Sequence, residues 1–96
     1  MYIPDRDVKV AVHSFYGTGE SMLPLFKPGS ELKYQAVHFA DLKQGMVVIY
    51  NKDFFTKVCH VLVRKTDKGW VVKGLNNNYE DATLVTEHNY IGVVVK

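Results

Sequence analysis

Short apolar runs and one alternating segment form the hydrophobic pattern of this chain. In the segment 31–37, Leu32, Tyr34 and Ala36 share one parity and polar residues lie between them, which is typical of a half-buried strand. The other apolar runs are too short for ordinary helices and are rich in valine or aromatic residues, so we expect strands there as well. These further predicted strands are 8–15, 46–50, 58–63, 70–73 and 90–95.

The turn residues support the same interpretation. Asp67-Lys68-Gly69 separates two strand-like segments and predicts a hairpin between 57–66 and 70–74. Helix signals are weak, since only Phe39 to Gln44 could form one turn before Gly45. Many short strands joined by Gly, Pro and Asn turns predict a mostly β protein, built as a small barrel or sandwich.

Length and composition predict one globular domain spanning residues 1–96. The chain is 47% hydrophobic and 23% charged, which is ordinary for a folded protein. The net charge of +2 is too small to imply a nucleic-acid surface, and the lysines are spread along the chain. Cys59 is the single cysteine, so no internal disulfide can form and nothing argues for secretion.

No apolar run is long enough to span a bilayer. The longest, Met46 to Tyr50, is far below the roughly 20 residues that a spanning helix needs. Charged Asp5, Arg6, Asp7 and Lys9 occupy the region where a signal peptide would be apolar. We therefore expect a soluble, cytoplasmic protein without a membrane span.

The segment Gly19-Glu20-Ser21-Met22-Leu23-Pro24 places one hydroxyl group in a loop between two predicted strands. Gly19 and Gly29 allow tight turns on both sides, and Pro24 restricts the backbone soon after the serine. A serine hydroxyl becomes a nucleophile only when a base lies within hydrogen-bond reach. Ser21 is therefore the candidate nucleophile, although serine is also a common turn residue.

His60 is the better-motivated candidate base, since an ordinary imidazole is largely neutral at pH 7 and can accept a proton. In a straight strand His60 shares a face with Val58 and Leu62, whereas Lys57 and Cys59 lie on the other face. Lys57 is the alternative base, but it would have to lose its proton through desolvation. Both side chains could face Ser21 only if the strand had a bulge.

Asp81 is the candidate that would orient the imidazole and stabilise its charged form. It follows the polar cluster Gly74-Leu75-Asn76-Asn77-Asn78, and Glu80 is a neighbouring alternative for the same role. The segment around Asp81 also fits a solvated turn.

The remaining chemistry-bearing residues form no recognisable constellation. Cys59 lies among valines and is expected to be a small core residue. Three further histidines are scattered without metal-ligand spacing, and no glycine-rich phosphate loop is present. We therefore predict no metal and no cofactor. These three histidines are His13, His38 and His88.

Four segments resemble, in their order, the boxes of the signal peptidase and LexA-like serine peptidases. They are the serine box 19–24, Lys43-Gln44-Gly45-Met46-Val47-Val48, the strand around His60, and Lys73-Gly74-Leu75-Asn76-Asn77. The family has a Gly-x-Ser-Met-x-Pro nucleophile box, a Gly-Asp-Val-Val box, a strand bearing the base, and a Gly-Asp-Asn box. The resemblance covers residues 17–96, and the serine box is its most specific part.

The base of this family is a lysine in bacterial signal peptidases and LexA-like proteins, and a histidine in the archaeal and endoplasmic-reticulum signal peptidases. Cys59-His60-Val61-Leu62 is similar to the Val-His-Arg-Val pattern of the histidine branch. The resemblance implies a coiled, partly open β-barrel of short antiparallel strands. It also implies that Ser21 is the nucleophile, His60 the general base and Asp81 its partner.

The leading hypothesis is a soluble serine endopeptidase that cleaves a peptide or protein bound along a strand edge. Met22 and Leu23 are then expected to shape a pocket for small side chains. The sequence does not indicate an oligomeric state.

Two alternatives remain open. Met46 and Leu75 stand where the family usually has aspartates, and Val61 replaces the arginine after the base, so the chain could be a degenerate peptide-binding module. A Ser-Lys dyad with Lys57 would fit a self-cleaving LexA-like regulatory domain, although no Ala-Gly or Cys-Gly dipeptide lies upstream of Ser21.

Overall fold

A computed structural model describes all residues from Met1 to Lys96. Every strand pairing is antiparallel, and the six strands form one sheet in the order β1-β2-β6-β3-β4-β5. The helical structure is one 3-10 turn, Phe39–Asp41, and no helix is long and apolar enough to cross a membrane. The strands are β1 (His13–Tyr16), β2 (Glu31–Gln35), β3 (Val47–Asn51), β4 (Lys57–Thr66), β5 (Gly69–Lys73) and β6 (Tyr90–Val95).

The predicted mostly β, single compact domain is confirmed. The radius of gyration is 12.3 Å, close to the ~13 Å expected of a compact domain of this length. No pairing joins β1 to β5, so the sheet does not close into a barrel.

Both faces of the sheet are buried, which explains why β3 is a continuous apolar run rather than an alternating one. Neighbouring residues of β3 enter different cores: Val48 and Tyr50 pack on one face, and Val47 and Ile49 on the other. The first core is made of Leu42, Met46, Val48, Tyr50, Leu62, Trp70, Val72, Val85 and Val93. The second core is made of Met22, Leu32, Val47, Ile49, Cys59 and Val94.

The predicted hairpin is confirmed as β4 and β5, and β6 has the bounds that its apolar run indicates. The first predicted strand is shorter than expected, since β1 begins at His13 and Val8 is almost fully exposed. The segment before β1 is held out of the sheet by Gln35, a residue of β2. Gln35 is buried although the alternation places it on the polar side. Its amide accepts from the N–H of Asp7 and donates to the carbonyls of Asp7 and Val10, and these bonds hold the preceding segment in a turn.

The two edges of strand β5 have different neighbours. The segment that follows β5 returns along its outer edge, where Asp81 N–H donates to Val72 O and Trp70 exchanges two backbone hydrogen bonds with Val85. On the inner side, β5 pairs with β4 only from Val61 onward. The first four residues of β4, 57–60, therefore have a strand neighbour on the β3 side alone.

Candidate active site

Three polar side chains from separate parts of the chain form a continuous hydrogen-bonded line. Ser21 Oγ lies 2.8 Å from His60 Nε2, and His60 Nδ1 lies 2.5 Å from Asp81 Oδ2. The His60 and Asp81 side chains are both only 10% exposed. The structure thus brings together the three residues that the sequence singles out as nucleophile, base and orienting acid.

The chemistry of the partners assigns the protons along this line. An ionised carboxylate can only accept hydrogen bonds, so the Asp81 contact places a proton on His60 Nδ1. The Nε2 atom of the neutral ring is then an acceptor, and the hydroxyl of Ser21 donates to it. This arrangement is the one in which a histidine removes the proton of a nucleophilic serine.

The end of β5 determines where Ser21 lies. Lys73, the last residue of β5, pairs with Val61, so the ladder brings the next residue, Gly74, beside His60. The backbone of Asn76 then binds the loop of residues 19–24 that carries Ser21 (the serine loop), because its N–H donates to Ser21 O at 2.6 Å. Ser21 consequently lies at the open edge of β4, within hydrogen-bond distance of His60.

Gly74 has a role that the sequence analysis missed. A Cβ atom at this position would lie 2.8 Å from Ser21 Cβ and 2.6 Å from Asn77 Nδ2, both too close for real contacts. The absence of a side chain therefore lets the serine loop pack directly on the end of β5. The available signal was a glycine at the head of the Gly74–Asn78 polar cluster, which by itself indicates only a turn.

Tyr50 is a second residue of the site that the sequence analysis missed, since it places this residue only at the end of an apolar strand. It is almost completely buried in the first core, and its hydroxyl donates to Asp81 Oδ2 at 2.6 Å. Burial raises the pKa of Tyr50, and the hydrogen bond and negative charge of Asp81 raise it further, so the hydroxyl keeps its proton. Asp81 Oδ2 thus accepts from both Tyr50 and His60.

The two alternative residues are placed differently from the three that form the line. Glu80 forms a two-bond ion pair with Arg64, which lowers the pKa of the Glu80 carboxyl, and it makes no hydrogen bond to His60. Lys57 is exposed and makes no hydrogen bond to Ser21. The hydrogen-bonding partner of Ser21 is therefore His60, and that of His60 is Asp81.

A groove of about 560 Å³ opens beside Ser21, between the end of β1 and the start of β4. Met22, a buried residue of the serine loop, is among the residues that line this groove, whereas Leu23 is not. Cys59 also lines it, but burial raises the pKa of its thiol to about 12, so the sulfur is protonated at neutral pH and is a poor nucleophile.

The three departures from the family pattern lie outside the hydrogen-bonded line. Met46 is buried in the first core, and Val61 packs against the second, so apolar side chains suit both positions. Leu75 is 40% exposed, and its N–H donates to Met22 Sδ. None of the three forms a hydrogen bond with Ser21, His60 or Asp81.

Free backbone donors lie next to the Ser21 hydroxyl. The N–H groups of Ser21 and Met22 donate no hydrogen bond within the protein, whereas the next amide, that of Leu23, donates to Glu20 O. Free amides beside a serine can hold the oxygen of a bound carbonyl. No cluster of three or more His, Cys, Asp or Glu side chains could ligate a metal ion.

Comparison with known proteins leaves the site to be interpreted from its own chemistry. No protein-family model, no curated protein and no solved structure matches this chain.

Replacing Gly74 with alanine is expected to slow acylation of Ser21 about tenfold to a hundredfold, because a displacement of the serine by a fraction of an ångström misaligns it with His60. The protein should remain folded, since the crowded atoms belong to Ser21 and Asn77 side chains. The rate of labelling by a small activated ester measures the effect. Gly19→Ala is the matched control, because its added Cβ has no neighbour within 4 Å; equal rates in both variants would contradict the proposed packing role.

Replacing Tyr50 with phenylalanine is expected to lower kcat about tenfold, in keeping with the ~1.5 kcal/mol of a hydrogen bond to a charged group. The expected loss comes from the freedom that Asp81 gains to turn away from His60 once Tyr50 no longer holds its Oδ2 atom. Tyr90→Phe is the control: it removes a half-buried hydroxyl that donates to Val37 O, away from the site. A Tyr50 variant with the kcat of wild type would limit this residue to packing.

Proposed function

We propose that this protein is a serine endopeptidase of the signal peptidase and LexA-like type, in its histidine-base form. The observation that carries the proposal is the line Ser21 Oγ–His60 Nε2 at 2.8 Å and His60 Nδ1–Asp81 Oδ2 at 2.5 Å. The order of the four sequence segments and the position of Ser21 beside an open groove support the same assignment. The proposal includes the fold of that family, a coiled and partly open β-barrel.

The mechanism follows from the protons on this line. His60 Nε2 takes the hydroxyl proton as Ser21 Oγ attacks the peptide carbonyl, and Asp81 stabilises the resulting imidazolium. The free N–H groups of Ser21 and Met22 hold the oxyanion. His60 then gives its proton to the leaving amine, and water attacks the acyl-serine ester with His60 again acting as base.

The open edge of β4 is the proposed binding place of the substrate backbone. At the two ends of the β3–β4 ladder, Leu62 N–H donates to Met46 O and Lys52 N–H donates to Thr56 O, so in this register even-numbered residues of β4 point their backbone groups toward β3. The N–H and C=O groups of Lys57 and Cys59 consequently point away from β3, to the side without a strand. An extended peptide added there satisfies these groups and passes Ser21.

The direct test is covalent labelling with a serine-directed acylating probe such as an activated ester, followed by mass spectrometry of the intact protein. Wild type is expected to gain one acyl group on Ser21, with His60 acting as the base. Ser21→Ala should gain none. Identical labelling of the two proteins would show that Ser21 is not the nucleophile.

The degenerate alternative is distinguished by the same experiment. A peptide-binding module would bind peptides while neither Ser21→Ala nor wild type reacted with the probe. The regulatory alternative predicts a different result, slow self-cleavage on raising the pH, which Lys57→Ala would suppress and His60→Ala would not.

A further inference from the structure

The groove beside Ser21 has an uneven distribution of charge. Among its 18 lining residues, Lys27 and Lys57 are the two with a formal charge, and none is acidic. Both lysines are exposed, and neither ammonium group forms an ion pair within the protein. The groove therefore presents two cations that no protein group neutralises.

Two acidic residues close in sequence to the groove lining are engaged elsewhere, Glu31 at the start of β2 and Asp53 in the loop before β4, whereas Glu20 forms no ion pair and does not line the groove. Glu31 accepts from the hydroxyl of Tyr16 and pairs with Lys33 at 2.9 Å. Asp53 accepts from the N–H of Phe55 at 2.9 Å, which lowers the pKa of its carboxyl. These contacts leave the two groove lysines free to attract an anion from a ligand.

The position of Lys57 sets where that anion would lie. It shares a face of β4 with Cys59, and it precedes His60 by three residues, or ~10 Å along a strand that rises ~3.3 Å per residue. A peptide paired along this edge advances by the same distance per residue. Its side chain opposite Lys57 is therefore about three residues from the bond held at Ser21.

The apolar lining indicates what accompanies the anion. Phe15, Phe26 and Leu32 form part of the groove wall. At its mouth, Phe55 is 95% exposed and Tyr79 is 68% exposed. Exposed aromatic side chains around a groove are typical of a surface that covers apolar groups of a ligand.

We infer that the ligand of this groove is an extended peptide that carries an acidic side chain about three residues from the bond at Ser21, among apolar residues. The inference rests on the proposed function, because it takes the groove as the substrate site of that peptidase. The carboxylate of the peptide pairs with Lys57 and Lys27, and its backbone pairs with the open edge of β4. Two lysines and a free strand edge suit a peptide better than a nucleic acid, which needs a longer run of cations.

The test is calorimetric binding to the Ser21→Ala protein, which cannot turn the peptide over. Three short capped peptides share the same apolar residues and carry Glu, Gln or Lys at one varied position, which is moved along the peptide in successive sets. The Glu peptide is expected to bind about threefold to fivefold more tightly than the Gln peptide when the varied position faces Lys57, and the preference should shrink as salt is raised.

Substitutions in the groove locate the effect. Lys57→Gln together with Lys27→Gln should remove the preference for Glu, and Lys57→Glu should reverse it toward the Lys peptide. Lys68→Gln, in the β4–β5 turn, is the matched control and should retain the preference. Equal binding of the three peptides, a preference that survives the double substitution, or displacement of the Glu peptide by an oligonucleotide would overturn the inference.

Failure of the inference and failure of the proposed function give different results. If wild type cleaves peptides regardless of the acidic residue, the peptidase stands and the substrate preference is wrong. If the Glu peptide binds selectively but wild type neither cleaves it nor reacts with the acylating probe, the recognition stands and the peptidase is wrong.

Discussion

Replacing His60 with alanine is expected to lower kcat/KM for peptide hydrolysis about ten-thousand-fold. The variant loses the group that accepts the Ser21 proton at 2.8 Å, and it leaves Asp81 without the N–H of the ring. Steady-state kinetics with a peptide substrate measure the effect.

Two substitutions make the His60 result specific. His38→Ala is the matched control, because its side chain is exposed and makes no capping hydrogen bond; its kcat/KM should equal that of wild type. Lys57→Ala tests the alternative base and should keep kcat on a neutral peptide. Loss of turnover in Lys57→Ala together with retention in His60→Ala would reverse the assignment of the base.

The second large effect is on stability. Leu62→Ala is expected to lower the free energy of unfolding by about 2–5 kcal/mol, because it leaves a cavity in the first core. Leu62 is 1% exposed there, opposite Val72 on β5, and its N–H donates to Met46 O. For a domain of this size, whose total stability is about 5–15 kcal/mol, this loss should reduce the melting temperature by about 10 °C or more.

Urea unfolding gives the free energy and thermal melting gives the temperature shift. The matched control is Leu75→Ala, which makes the same change at a side chain that is 40% exposed; it should cost less than ~1 kcal/mol. The slope of the urea transition should be the same in both variants, since each unfolds from the same native surface. Similar losses in the two variants would mean that Leu62 is not at the centre of the core.

Much of the sheet could be predicted from local pattern. The continuous apolar run of β3 and the valines of β6 favour strands regardless of their partners, and the predicted β4–β5 hairpin has its two-residue turn where the sequence indicates. Gln35 shows the limit of such reasoning. Its burial depends on the backbone of Asp7 and Val10, which lie more than twenty residues away in sequence, so alternation alone could not reveal it.

The three residues of the hydrogen-bonded line could be predicted from the sequence, whereas the residues that hold them in place could not. Ser21, His60 and Asp81 could be named because each belongs to a residue type with a definite chemical role in a recognisable order. Tyr50 gave no such signal, since a tyrosine that ends an apolar run is most simply a core residue. Its contact with Asp81 depends on the segment after β5, which is held in place by long-range contacts of its own, such as the hydrogen bond from Tyr50 itself.

The sequence alone determined which faces of the strands are apolar and which side chains are able to move a proton, because side-chain direction along a strand and acid–base chemistry are local properties. Only the tertiary structure decided that Ser21 meets His60, which is 39 residues away in the chain. That contact follows from the β4–β5 register, from the end of β5 at Lys73 and from the packing of the serine loop on Gly74. The packing of the serine loop on Gly74 joins segments that are distant in the chain, and periodicity in the sequence carries no information about the distance between such segments.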